Sequence, residues 1–245
     1  MKPTKTRPRA RPKTAPKRPA IMTGAAVPVL GWPPEEDRVE AIFERLARIM
    51  PEPKTELSFS SPYTLVVAVA LSAQATDVAV NKATDRLFAV ADTPAKMLEL
   101  GEAGLVPYIA SIGLYRNKAK NVIALSRIVL EQHGGEVPLN RADLQALPGV
   151  GRKTASVVLN ELGIEAAIAV DTHVFRVSHR LKLSVGKTPD KVEQDLMAIV
   201  PEPYLTRAHH WLILHGRYVC VARKPKCLEC RVAYLCASRE LFVGG

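Results

Sequence analysis

Three steps of a hydroxyl residue followed by proline constrain the fold of this chain most: Ser61-Pro62, Thr93-Pro94 and Thr188-Pro189. A hydroxyl at the cap with proline at the first helical position marks a helix start. Proline's fixed φ suits that position, and the N–H it lacks would have no partner there. The first step opens an apolar helix that runs to about Ser72. Gly101, Gly113 and the Gly134-Gly135 pair read as helix stops. Val39, Ile42, Phe43, Leu46 and Ile49 recur at helical spacing before Pro51. Between Gly113 and Gly134 the spacing predicts a long amphipathic helix, with Val122, Ile123, Leu125, Ile128, Val129 and Leu130 on its buried side. No alternating run of the kind a sheet requires is present, and no repeat has a solenoid period. The expected class is all-α. The longest apolar run, Leu65 to Leu71, is too short to span a bilayer, so no membrane association is expected.

The stretch Leu147-Pro148-Gly149-Val150-Gly151-Arg152-Lys153-Thr154 joins a short apolar segment to an amphipathic helix through a two-glycine turn. Glycine admits positive φ and close backbone approach, and the unpaired N–H groups at the following helix start carry partial positive charge. Such a turn suits an anion, most simply a phosphate. A nucleotide P-loop needs glycines where Leu147 and Arg152 stand, and a dinucleotide fingerprint needs one at Thr154 after a strand. A helix-hairpin-helix that holds a DNA phosphate remains, beside a plain turn between helices with an exposed lysine. Lys153, in the first helical turn and next to Arg152, is the residue type that performs covalent catalysis when its ammonium form is disfavoured.

Four cysteines, Cys220, Cys227, Cys230 and Cys236, fall close to the C-terminus. Two disulfides in so short a segment belong to small secreted scaffolds, and the basic, proline-rich N-terminal stretch does not read as a signal peptide. Structural zinc sites usually show two tight Cys-x-x-Cys pairs, whereas only Cys227 and Cys230 are so spaced. One tight pair with longer outer spacings favours a [4Fe–4S] cluster over zinc. Arg223 and Lys224 lie between the first two cysteines, where a metal-tied loop would hold them for phosphate contact.

Charge is concentrated at the other end. The net charge is +10, and eight of those positive charges sit in residues 1–20 without a single acid, which leaves +2 for the remainder. Five prolines share that segment and preclude the amphipathic helix of a transit peptide. Residues 1–20 therefore read as a disordered basic tail, either a tether for polyanions or a dispensable solvated extension.

With these pieces assembled, the chain closely resembles the endonuclease III family of base-excision DNA glycosylases. The matching stretches are Leu71-Ser-Ala-Gln-Ala-Thr-Asp77, Gly113-Leu-Tyr115, the Leu147–Ala155 turn, Val170-Asp-Thr-His-Val-Phe-Arg-Val177, His209-His-Trp-Leu-Ile-Leu-His-Gly-Arg-Tyr218 and the cysteine quartet. The resemblance implies two helical domains with a DNA-binding active-site cleft between them. A six-helix barrel over residues 55–165 would carry the helix-hairpin-helix. Residues 21–54 plus 166–245 would form the domain with the [4Fe–4S] loop, where the cluster is a structural and DNA-binding element.

The same resemblance assigns roles to single residues. Lys153 becomes the nucleophile and Asp171 the carboxylate that assists it. Read alone, Asp171 is a helix N-cap. Gln74 and Leu114 become wedge and filler in the vacated base stack, although Leu114 by itself reads as a capping contact. Gly149, Val150, Gly151 and Arg152 grip the DNA backbone, and His173 is a candidate pocket contact. His209 and His210 are expected to point in different directions and are not read as metal ligands. The implied activity is a glycosylase and abasic-site lyase that removes oxidised pyrimidines from duplex DNA and cleaves 3′ to the site by β-elimination. Relatives without a lysine at the hairpin use activated water, so Lys153 favours the bifunctional reaction. The implied setting is a monomer in the bacterial cytosol, at the nucleoid.

Overall fold

The structure, a computed structural model, describes residues 31–243, so the basic tail lies outside the described residues. Eleven α-helices make up the described part, with no strand among those residues. In order they are α1 (Glu36–Ile49), α2 (Pro62–Ser72), α3 (Asp77–Phe88), α4 (Pro94–Ile109), α5 (Tyr115–Gln132), α6 (Arg141–Ala146), α7 (Arg152–Glu161), α8 (Thr172–Arg180), α9 (Pro189–Ile199), α10 (Glu202–Tyr218) and α11 (Glu240–Val243). No described helix is long and apolar enough to cross a membrane.

The three hydroxyl-proline steps all start helices. Ser61, Thr93 and Thr188 are the N-caps of α2, α4 and α9, and each side chain accepts a backbone N–H of the first turn. Ser61 and Thr64 close a full capping box, which satisfies two orphan donors reciprocally. Gly135, at φ 89°, ends α5 by donating to the Val129 carbonyl at 2.9 Å. Gly101 breaks the helical path as expected: at φ 66° and ψ 175° it divides α4 into two segments that meet at a kink, and Leu105 and Ile109 of the second segment pack in the same core.

Two hydrophobic cores organise these helices. The first is built from Leu57 and the apolar faces of α2 to α7. Its axis is α2, apolar around its whole circumference and buried from Tyr63 to Leu71, as a helix enclosed by others must be. The second core joins Val39, Ile42, Phe43 and Leu46 of α1 to α8, α9, α10 and Val232. The chain thus begins in one body, builds the other with α2 to α7, and returns. Arg38 of α1 seals the return by donating to the carbonyls of Leu181 at 2.8 Å and Leu235 at 3.0 Å.

Two positions expected to be buried are not. Ile49 and Leu130 are exposed, since each lies in a last helical turn that runs past the edge of its core. Leu65→Ala should therefore cost about 2–5 kcal/mol of unfolding free energy. Ile49→Ala should stay within about 0.5 kcal/mol. Paired denaturant titrations measure both.

Candidate active site

A cleft of about 660 Å³ opens between the two bodies. Its walls include Gln74, Asp77, Lys153, Asp171, His173, His209, His210 and Arg217. Each reaches the cleft through the local chemistry of its element.

Lys153 is supplied by the hairpin between α6 and α7. Gly149 takes φ 80°, and a Cβ there would lie 3.0 Å from Asn121 Cβ, so both conformation and packing demand glycine. Gly151 is different. As N-cap of α7 its φ is an ordinary −86°, and a Cβ would meet nothing within 4 Å. Its lack of a side chain leaves the first amides of α7 uncapped and the space before them open, which is the geometry of an anion site. Val150 is buried and its N–H donates to the Leu147 carbonyl at 3.0 Å, so it closes the turn and does not face a ligand as a free donor. Arg152 pairs with Glu193 at 3.0 Å and Asp190 at 3.6 Å. Its guanidinium is thereby turned toward α9. Lys153 itself is exposed to the cleft in the first turn of α7.

Asp171 is the N-cap of α8. Its Oδ1 accepts the N–H groups of His173 and Val174, both at 2.8 Å. No described residue bonds Oδ2, so the cap fixes the carboxylate while one oxygen remains for the cleft. His173 follows in the first turn, with Nδ1 3.2 Å from Arg176 Nη2. Close behind it runs α10, where a Cβ on Gly216 would sit 2.9 Å from His173 Cβ.

Gln74 and Leu114 mark the mouth. Both are exposed and both hold left-handed backbone, at φ 56° and 60°. For residues with a Cβ that conformation costs about 1–2 kcal/mol each. A Cβ on Gly113 would lie 3.9 Å from the Gln74 carbonyl, so the two strained residues are neighbours in space.

Two ties between the bodies gave no sign in the sequence. Arg217 of α10 pairs with Glu56 and with Asp77, and the Tyr218 hydroxyl donates to Glu56. Arg217 is thereby neutralised and does not join the loop cations as a free phosphate contact. Farther along α10, His210 Nε2 meets Glu161 of α7 at 2.8 Å. His209 lies beside it in the same wall, with ring centroids 5.2 Å apart, so the adjacent histidines do not diverge as expected. Burial, then the neighbouring His210, holds the His209 imidazole down to about 3, which keeps it neutral.

The four cysteines are free thiols and line one small hollow with His215 at the end of α10. Burial, and then the other cysteines, pushes the Cys230 thiol up to about 11; burial also raises Cys227 and Cys236. Four converging soft donors suit a multivalent cation, which would hold them as thiolates. Among the described residues no group of three or more Cys, His, Asp or Glu side chains is drawn into the spacing of a single-ion site. Arg180 donates to Cys220 Sγ at 3.4 Å and to the Val221 carbonyl at 2.8 Å, which anchors the loop. Arg223 and Lys224 project from that loop into solvent.

Residues 67–202 match the family described as "HhH-GPD superfamily base excision DNA repair protein". The chain is 57% identical over 199 residues to endonuclease III of Escherichia coli (strain K12), covering 81% of this chain and 94% of that one. It is 53% identical over 203 residues to endonuclease III of Haemophilus influenzae, covering 83% and 96%. Among solved structures, a non-covalent endonuclease III–DNA complex matches with a TM-score of 0.79 at 40% identity, covering 84% of this chain and 98% of that one. A trapped endonuclease III–DNA covalent intermediate matches with a TM-score of 0.78 at 40% identity, covering 84% and 99%. The chain belongs to the endonuclease III family and is a DNA glycosylase.

Proposed function

We propose that this enzyme removes oxidised pyrimidines from duplex DNA and then cleaves the abasic strand, with Lys153 as covalent catalyst. The observation that carries the proposal is the pairing, in one cleft, of an exposed Lys153 with a capped Asp171 whose second oxygen is free.

A stacked base hides C1′, so the damaged nucleotide must leave the duplex, at a cost of a few kcal/mol that is lowest for damaged bases. Gln74 and Leu114 fill the space it vacates. The amides of Gly149, Gly151 and Arg152 hold a neighbouring phosphate, in a turn closed by the Val150 N–H on the Leu147 carbonyl, which aligns the extruded sugar with the first turn of α7. His173 contacts the extruded nucleotide, and Arg223 and Lys224 add phosphate contacts beyond the cleft.

The neutral Lys153 amine attacks C1′, and the glycosidic bond breaks as the base departs with its electron pair. Asp171 Oδ2 takes the proton lost by the amine and stabilises the positive charge that develops on the sugar. The C1′–O4′ bond then breaks, O4′ taking the proton back from Asp171, and leaves a Schiff base between Lys153 Nζ and C1′. Loss of the C2′ proton then expels the 3′ phosphate by β-elimination. The imine supplies the electron sink, so one lysine serves both steps.

The two cores support a division into a barrel domain over residues 55–165 and a second domain of residues 21–54 plus 166–245. In the second, Cys220, Cys227, Cys230 and Cys236 would hold a [4Fe–4S] cluster. Bound there, the cluster would supply rigidity and so hold the loop cations Arg223 and Lys224 in place for phosphate contact. The enzyme acts as a monomer on lesion-containing or abasic duplex DNA in the bacterial cytosol.

Lys153→Ala should abolish borohydride trapping on an abasic duplex, whereas normal trapping would show another nucleophile at work. Asp171→Asn should slow base removal by about 10²–10⁴-fold while DNA affinity stays nearly constant. Equal loss of both would reduce Asp171 to a cap. Elemental analysis of the native protein should return about four irons per chain, lost together with thermal stability in Cys230→Ser. Zinc in their place would overturn the cluster.

A further inference from the structure

Lys118 has no part in the chemistry above, yet it is a buried lysine at 7% exposure, and it does not line the cleft. Its Nζ donates to the Leu71 carbonyl at 2.9 Å and to the Ala73 carbonyl at 2.7 Å. These are among the orphan acceptors at the C-terminal end of α2, where the helix dipole also favours a cation. The residue after Ala73 is Gln74. Lys118 itself sits in the first turns of α5, and its own N–H donates to the Leu114 carbonyl at 3.1 Å. One side chain therefore bridges the two segments that carry the two left-handed residues at the cleft mouth.

Strained backbone persists only where its surroundings over-determine it. The turn at Gln74 has one backbone bond of its own, from the Ala75 N–H to the Ser72 carbonyl at 3.0 Å. Among the described residues no side chain except Lys118 bonds the Leu71 or Ala73 carbonyl. The next contact along α5 extends the pattern: Asn121 packs against Gly149 of the phosphate-holding hairpin. Residues 114, 118 and 121 stand at i, i+4 and i+7, on one helix face. That face sets the spacing between the mouth of the cleft and the hairpin.

We propose that Lys118 is a positioning residue for base extrusion: its ammonium locks the Ala73–Gln74 turn to the start of α5, so that Gln74 and Leu114 enter the duplex as one rigid element. The proposal rests on the reading of those two residues as the wedge. It requires no contact between Lys118 and DNA. It predicts that losing the ammonium harms only the step that opens the stack.

The test compares single-turnover base removal from a thymine-glycol duplex with removal of the same lesion from a single strand. A 2-aminopurine beside the lesion reports stack opening. Lys118→Met, which keeps length and removes the donors, should slow the duplex reaction about tenfold and abolish the fluorescence rise. The single-strand rate should stay within about twofold. Lys118→Arg should restore most of the duplex rate. In a Gln74→Ala background the Lys118→Met effect should shrink.

Equal losses on both substrates, or no loss on either, would overturn the proposal. Lys118→Gln, which removes the charge and shortens the reach, is read in the same way should Lys118→Met fail to fold. Gln74→Ala and Leu114→Ala separate the two ideas. If they leave the ratio of duplex to single-strand rates unchanged, the wedge reading fails, and this proposal with it. If they lower the ratio and the Lys118 variants do not, only the proposal fails.

Discussion

Helix α10 meets α8 so closely at Gly216 that a single methyl group would be 2.9 Å from His173 Cβ. That approach fixes the wall bearing Asp171 against the helix that carries the other restraints. From the same helix His210 reaches Glu161 of α7, the helix whose first turn carries Lys153. Arg217 reaches Asp77 and Glu56, at the edge of the barrel next to Gln74. Three cleft walls from two cores are thus referenced to one rigid element. A misplacement of about 1 Å between a nucleophile and its target can cost about 10²-fold in rate, so an active site shared between two bodies needs such a reference.

The buried parts of this arrangement are strengthened by exclusion of water. His210 and Glu161 are both largely buried, and His209 beside them is held neutral by burial, so no uncompensated charge competes with Lys153 and Asp171. The capping role of Asp171 and its proposed chemical role do not conflict. Two amides fix one oxygen, and a fixed carboxylate offers its second oxygen without the reorganisation a free side chain would need. Strain has a parallel use at the mouth, where left-handed backbone aims Gln74 and Leu114 outward.

What the sequence reveals is what local chemistry decides. Pro62, Pro94 and Pro189 sit at helix starts because cap and proline act within four residues. The cap at Asp171 and the glycine turn before Lys153 are equally local. Gly101 is local too, since its φ of 66° and ψ of 175° break the helical path at the residue itself. Periodicity assigns Ile49 and Leu130 to apolar faces without showing where those cores end. The partners of Arg217 stand 140 and 161 residues away, and no spacing rule could pair them. Lys118 is similar, since its acceptors are backbone carbonyls that any sequence would supply.

The central claim is that the hairpin delivers one particular amine to the sugar. Borohydride reduction of the complex with an abasic duplex, followed by proteolysis and mass-spectrometric mapping of the cross-linked peptide, tests it directly. The account predicts a single adduct, on Lys153. An adduct on any other lysine, or on the N-terminal amine, would contradict it.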